Sequence, residues 1–261
     1  MKYSVLFKIK TAFILKLQYL AYRFGYKIIK LNTPINPRFQ NLLPFLFLSD
    51  PDHFFFVHIG ANDGRTNDPL FHFVNQYRPR GIFVEPQNSV FDSLKKTYEG
   101  YEGLQFANIA LGAVDGKCPL YIVKKNFQAS LNKHRRWGGD STALASFSKG
   151  QLKKSMIKIM PNFFSQHPVD DYISQVEVTA LTFGSFVKKY AVKRIDVLQI
   201  DTEGFDYEVI KMFDFDTFLP SVINYESKHL SLDDKTDCKN ILRQRGYFLL
   251  ESEDDTCAIK L

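Results

Sequence analysis

From Phe54 onward the chain alternates short apolar runs with helical stretches, and no other feature narrows the possible folds so much. Phe54 to Ile59 is a continuous run of aromatic and β-branched residues interrupted only by His58, which predicts a strand buried on both faces. The segment Gly60-Ala61-Asn62-Asp63-Gly64 then turns into a helix near Pro69 to Tyr77. Gly81 to Glu85 predicts a second strand closed by Pro86, Ser89 to Tyr98 a helix, and Leu104 to Ala110 a third strand. Leu120 to Val123 reads as a short added strand, and the basic stretch beyond it has little periodicity. The alternation resumes with a strand at Val176 to Leu181, a helix at Phe183 to Tyr190, a strand at Arg194 to Ile200 and a helix at Phe205 to Phe213. Ser221 to Tyr225 is a further strand and Asp234 to Arg245 a helix ended by Gly246. Tyr247 to Glu251 and Thr256 to Lys260 flank an acidic turn as a hairpin. Such alternation gives an α/β fold of Rossmann-like type: a mostly parallel sheet, helices on both faces, and one antiparallel strand from the hairpin.

Charge divides the chain differently. Residues 1–49 carry eight Lys or Arg and no acid, so the net charge of +6 leaves −2 (6 minus 8) for the remainder. Within 1–24, Leu6, Ile9, Phe13, Leu17, Leu20 and Phe24 recur at helical spacing, predicting a basic amphipathic helix. Lys8, Lys10 and Lys16 interrupt it too often for a membrane span or a signal peptide. Two uses remain open for residues 1–30: packing on a protein surface, or peripheral contact with an anionic membrane. Prolines at 34, 37, 44 and 51 mark a linker with a short apolar helix around Leu42 to Leu48, so the chain divides into an extension, 1–52, and a body, 53–261. A second basic region, Lys117 to Met160, holds ten Lys or Arg against Asp140 alone. It lies largely within an insertion in the body at about 124–170, and both regions suit anionic partners. Cys118, Cys238 and Cys257 show no metal or disulfide spacing, which fits reduced thiols in the cytoplasm.

Ligands of such folds bind beyond the carboxyl ends of the strands. Gly60 and Gly64 let the backbone bend tightly there, Asn62 and Asp63 add polar groups, and Glu85 can accept both hydroxyls of a ribose. Asn62 stands where the dinucleotide fingerprint needs a second glycine, which weighs against a pyrophosphate cofactor. Ile200-Asp201-Thr202-Glu203-Gly204 and Tyr225-Glu226-Ser227-Lys228-His229 place carboxylates and an imidazole at two later strand ends, where a reacting hydroxyl can be held and lose its proton.

At these residues the chain resembles the FkbM family of S-adenosylmethionine-dependent methyltransferases. The matching pieces are Val57 to Gly64, Phe83-Val84-Glu85-Pro86, Asn108-Ile109-Ala110-Leu111-Gly112, Val197 to Gly204 and Asn224 to Leu230. The resemblance implies a class I methyltransferase fold, with Gly60, Ala61, Asn62, Asp63, Gly64, Glu85, Pro86, Asn108, Ile109 and Asp201 around the cofactor. It also implies O-methylation of a sugar or glycan hydroxyl, and the basic extension is similar to that of members associated with surface-glycan biosynthesis. Many members carry Asp where this chain has His58, so the methionine end is held differently here, or by Asp63. The family also commonly has an Asp after the strand preceding the Phe183 helix, where this chain reads Leu181-Thr182-Phe183.

For methyl transfer to a hydroxyl, His229 is the first candidate base because imidazole titrates near neutrality. Asp201 is the next candidate, with Glu203 and Glu226 as orienting groups. Asp201, Glu203 and Glu226 also form an oxygen-rich set able to hold magnesium, an arrangement the reading does not favour. In the insertion Arg135, Arg136 and Trp137, with Lys228 beside the carboxylates, suit an anionic sugar acceptor held under a lid. Two rival functions stay open. One is a nucleic-acid methyltransferase, for which no reader module is present. The other is a non-catalytic protein of the membrane surface.

Overall fold

The computed structural model describes residues 39–134 and 141–260. The expected helix near residues 6–24 and the acceptor candidates Arg135, Arg136 and Trp137 lie outside the described residues. The described chain opens with a helix, Phe39–Ser49, whose Phe39 and Leu43 are buried against Phe54 and Phe73.

Ten strands follow: β1 (Phe55–Ile59), β2 (Arg80–Val84), β3 (Leu104–Ala107), β4 (Ala110–Leu111), β5 (Gly116–Val123), β6 (Ile173–Leu181), β7 (Val197–Ile200), β8 (Val222–Glu226), β9 (Tyr247–Glu251) and β10 (Asp255–Lys260). Seven of them make one sheet in the order β3-β2-β1-β7-β8-β10-β9. Its first four pairings are parallel, and β10 runs antiparallel to both β8 and β9. This is the Rossmann-like sheet with one reversed strand that the alternation predicts. Strands β7 and β8 are buried at every position, which explains their mainly apolar character. The two amides among them satisfy each other: Asn224 Nδ2 donates to Gln199 Oε1 at 2.9 Å, so neither is left dry and unpaired.

Alternation along β1 sends Val57 and Ile59 into one core and Phe56 into the other. The first core is aliphatic and phenylalanine-rich, under the helices Phe183–Lys189, Asp206–Met212 and Leu232–Gln244. The second is strongly aromatic, with Phe83 stacked on Tyr98 at 4.8 Å. Strand order reverses between β1 and β7, and the crevice at that switch point is where this architecture binds ligands.

Besides strand ends shifted by three or four residues in β5, β6 and β7, two segments differ from the sequence expectation. The third strand ends at Ala107, because Asn108 turns its side chain back to donate to the carbonyls of Glu85 and Pro86. Ala110–Leu111 then leaves the main sheet and pairs with β6 in a three-stranded sheet, β4-β6-β5. The basic insertion is also more ordered than its weak periodicity suggests. It holds the helices Lys125–His134 and Lys149–Ile159 around a small core of its own, in which Leu131, Leu152 and Met156 are buried. The apolar positions there are few and widely spaced among lysines, which hides the period. No helix among the described residues is long and apolar enough to cross a membrane.

Candidate active site

The turn after β1 is built by hydrogen bonds to its neighbours. Gly60 N and Ala61 N both donate to Val84 O, at 2.9 and 3.0 Å, and Asp201 N donates to Ile59 O at 2.9 Å. The ends of β2, β1 and β7 are thereby drawn together. Gly60, Asn62 and Gly64 all adopt positive φ, which wraps the turn's amides towards the β2 end. Glu85 sits there with 5% exposure, accepting Asn62 N on Oε2 at 3.0 Å and Gln87 N on Oε1 at 2.8 Å. Burial pushes its carboxyl up to about 7, against the pull of those two amides.

A cavity of about 160 Å³ opens above this crossing. Gly60, Ala61, Asn62, Glu85, Pro86 and Ile109 border it from one end. Asp201, Glu203, Glu226 and Lys228 border it from the other. Thr142, Ala143, Ala145 and Phe147 of the insertion also line it, and Gln87 Nε2 ties the insertion down by donating to Thr142 O at 2.9 Å. The insertion therefore forms part of the cavity wall. None of these insertion residues carries a titratable group, so nothing in their sequence distinguished them.

Four of the expected site residues do not border the cavity: Asp63, Gly64, Asn108 and His229. Asp63 is fully used within its own turn, accepting Arg65 N and Thr66 N on Oδ1 and Thr66 Oγ1 on Oδ2. Gly64 packs against Leu94 and Tyr98, and Asn108 holds the β2 end as described. Another carboxylate takes the place next to the turn. Asp68 borders the cavity with a side chain 3% exposed, its Oδ1 accepting Leu70 N at 2.6 Å. Its Oδ2 has no hydrogen-bond partner and lies 3.6 Å from His58 Nδ1, itself unpartnered. Burial favours the neutral form of both groups, raising Asp68 to about 7 and lowering His58 to about 3.

At the other end Glu203 and Gly204 take φ of +51° and +100°, a sharp turn after β7. It is clamped by Asp206, fully buried, whose Oδ2 accepts Thr202 Oγ1 at 2.8 Å and whose Oδ1 accepts Glu226 N at 3.1 Å. This brings the β7 and β8 ends together, a role the sequence concealed because an acid in a helix's first turn is ordinary. His229 Nε2 lies 3.2 Å from Glu203 Oε2 and 3.6 Å from Glu226 Oε2. Lys228 Nζ pairs with Glu226 Oε1. Burial raises Asp201 well above the usual carboxylate range, and the charges of Glu226 and Glu203 add to that. Burial raises Glu226 as well. Lys228 and His229 are both held upward: desolvation pulls each down, and the surrounding carboxylates outweigh it. The cluster thus gathers carboxylates, a lysine and an imidazole within a few ångströms, at the wall of a cavity whose far end is a buried carboxylate.

A family model described as the methyltransferase FkbM domain matches residues 58–249. No protein of curated function matches the chain. Among solved structures, similarity is found to a fibrillarin pre-rRNA processing protein of Methanococcus jannaschii, with 11% identity, 79% of this chain and 66% of that one covered, and a TM-score of 0.38. A precorrin-6y C5,15-methyltransferase from Geobacter metallireducens is 11% identical, with 89% and 94% covered and a TM-score of 0.39. The METTL16 methyltransferase domain is 11% identical, with 92% and 75% covered and a TM-score of 0.42.

Proposed function

We propose that this chain, which belongs to the FkbM methyltransferase family, methylates a hydroxyl of a sugar or glycan in the cytoplasm. As a member it is an S-adenosylmethionine-dependent methyltransferase. The observation that supports the finer reading is one cavity with a buried carboxylate, Glu85, at one end and a cluster of carboxylates, Asp201, Glu203 and Glu226, at the other. The cofactor fits this frame. At Gly60 a Cβ would stand 1.8 Å from Asp201 O, so only a glycine lets the turn pack this closely on the neighbouring strand end at the cavity's edge.

When bound, S-adenosylmethionine supplies a methyl group activated by its sulfonium. Glu85 accepts the two ribose hydroxyls, and Asn62 N and Gln87 N hold its oxygens apart for that purpose. Asp68, with one oxygen unpartnered at the cavity wall, takes the ammonium of the amino-acid end. A sugar hydroxyl is a poor nucleophile until its proton is withdrawn. Glu203 borders the cavity and receives that proton, while His229, engaged with Glu203 and Glu226, orients it, and Asp201 lines the same end of the cavity. The raised Lys228, exposed on one side, suits the negative charge of an acidic sugar. Arg135, Arg136 and Trp137 belong to the same insertion that walls the cavity, which supports their use in acceptor binding. Peripheral membrane contact through residues 1–30 would place the site near lipid-linked glycans.

Two measurements test this reading. The methyl group of labelled S-adenosylmethionine should pass into material from a cell extract that is sensitive to glycosidases and resistant to nuclease. Label in RNA instead would replace the glycan reading with the nucleic-acid one. Secondly, Asp68→Asn should weaken S-adenosylhomocysteine binding by about tenfold or more, the scale of a charged hydrogen bond, with 5′-methylthioadenosine binding unchanged. The second ligand lacks the amino-acid end, so an equal loss for both would remove Asp68 from that role.

A further inference from the structure

We propose that Glu203, Glu226 and His229 form a divalent-cation site at the wall of the cavity. One ligand atom from each, two carboxylate oxygens and the His229 imidazole nitrogen, lies within 4.8 Å of the others. The His229 separations of 3.2 Å and 3.6 Å approach the roughly 3 Å expected between adjacent ligands that share an ion at about 2.1 Å. The independent observation is Glu226 Oε2. It belongs to a side chain 5% exposed and yet has no hydrogen-bond partner, while Oε1 of the same group is paired with Lys228. A dry carboxylate oxygen turned towards a second carboxylate is costly unless a cation lies between them. A protonated His229 provides one N–H on Nε2, and Glu203 at 3.2 Å is the closer acceptor, so the imidazolium leaves that oxygen unserved.

Charge points the same way. Asp201, Glu203 and Glu226 face Lys228 as the nearby lysine, while both oxygens of Asp206 are already engaged by Thr202 and Glu226 N. A set of two oxygens and one imidazole suits manganese or zinc, with magnesium served less well by the nitrogen. Glu203 and Glu226 both border the cavity, so the ion's open positions face it. There the ion would bind adjacent hydroxyls of a sugar and lower the pKa of the one to be methylated. That use rests on the methyltransferase reading, whereas the site itself rests on the three side chains.

The test is titration of the full-length protein with Mn²⁺, followed by loss of the free-ion electron paramagnetic resonance signal. Wild type should bind one ion in the micromolar range. Glu226→Gln, which preserves shape, and His229→Ala should each raise the dissociation constant about tenfold or more, as expected on loss of a metal ligand. Glu253→Gln, on an exposed turn, should bind as wild type. Thermal melts check that each variant is folded. Absence of binding to wild type at millimolar Mn²⁺, or equal binding by all three variants, overturns the site. S-adenosylhomocysteine binding by the same wild-type sample separates the two ideas. Cofactor without manganese leaves a metal-free methyltransferase, and manganese without cofactor leaves the site but removes its use.

Discussion

Replacing Gly60 by Ala should strongly destabilise the folded protein. The substitution adds one carbon, yet that carbon would stand 1.8 Å from Asp201 O and 2.7 Å from its carbonyl carbon. Both are backbone atoms, so no rotamer change relieves the overlap. Asp201 is in turn fixed by its N–H to Ile59 O, and Gly60 and Ala61 by theirs to Val84 O. Relief would need β1 and β7 to separate at the centre of the sheet, where Ile59 pairs with Ile200. The φ of +80° adds a strain that glycine does not feel. Together these should cost on the order of 3–5 kcal/mol, which for a chain of this size lowers the melting temperature by about 10 °C or more. Gly100→Ala is the control, since Gly100 has a similar φ of +76° and nothing within 4 Å of a Cβ. It should cost about 1 kcal/mol. Equal melting temperatures for the two variants would show that the β1–β7 crossing yields more readily than its hydrogen bonds imply.

The contrast between those glycines shows how much of this molecule was legible in advance. Buried parallel strands announce themselves as apolar runs, and β1, β2 and β8 were readable within a residue, with β7 starting three residues later than expected. The carboxyl ends of those strands border the cavity, so the placing of Gly60, Glu85, Asp201, Glu203 and Glu226 around it followed from position. What the sequence hid was competition among similar groups. Asp63 and Asp68 are five residues apart in one loop, and only the three-dimensional turn shows that the first is consumed by Arg65, Thr66 N and Thr66 Oγ1 while the second keeps an oxygen free of hydrogen bonds. His229 presented itself as a free base, yet its nitrogen is directed at two carboxylates from adjacent strand ends, a contact between residues 26 apart. The wall contributed by Thr142, Ala143, Ala145 and Phe147 carried no signal at all, because apolar residues in a lysine-rich insertion look like spacers until the insertion folds over the crevice.

Replacing Glu85 by Ala should abolish cofactor binding, with S-adenosylhomocysteine affinity falling at least a hundredfold. Two hydroxyls on one buried carboxylate are charge-assisted hydrogen bonds of about 1.5–3 kcal/mol each, and Asn62 N and Gln87 N would lose their acceptor as well. The same residue should give the protein two opposed dependences on pH. Folding raises Glu85 from its model-peptide value of 4.5 to about 7 through burial. The folded chain therefore holds this proton more tightly than the unfolded one. The contribution to stability is fully present below about pH 4.5 and is lost as pH rises through about 7. Asp68, raised from 3.8 to about 7, acts with the same sign. Melting temperature without ligand should accordingly fall between pH 5.5 and pH 8. Cofactor binding runs the other way, because the ribose hydroxyls need the ionised carboxylate, so affinity should climb through pH 7 and fall about tenfold per unit well below it. Glu85→Gln should flatten part of the melting slope and part of the rise in whatever affinity remains, leaving in each the share due to Asp68. If ligand affinity were level from pH 5.5 to 8 in wild type, Glu85 would not be the group that meets the ribose.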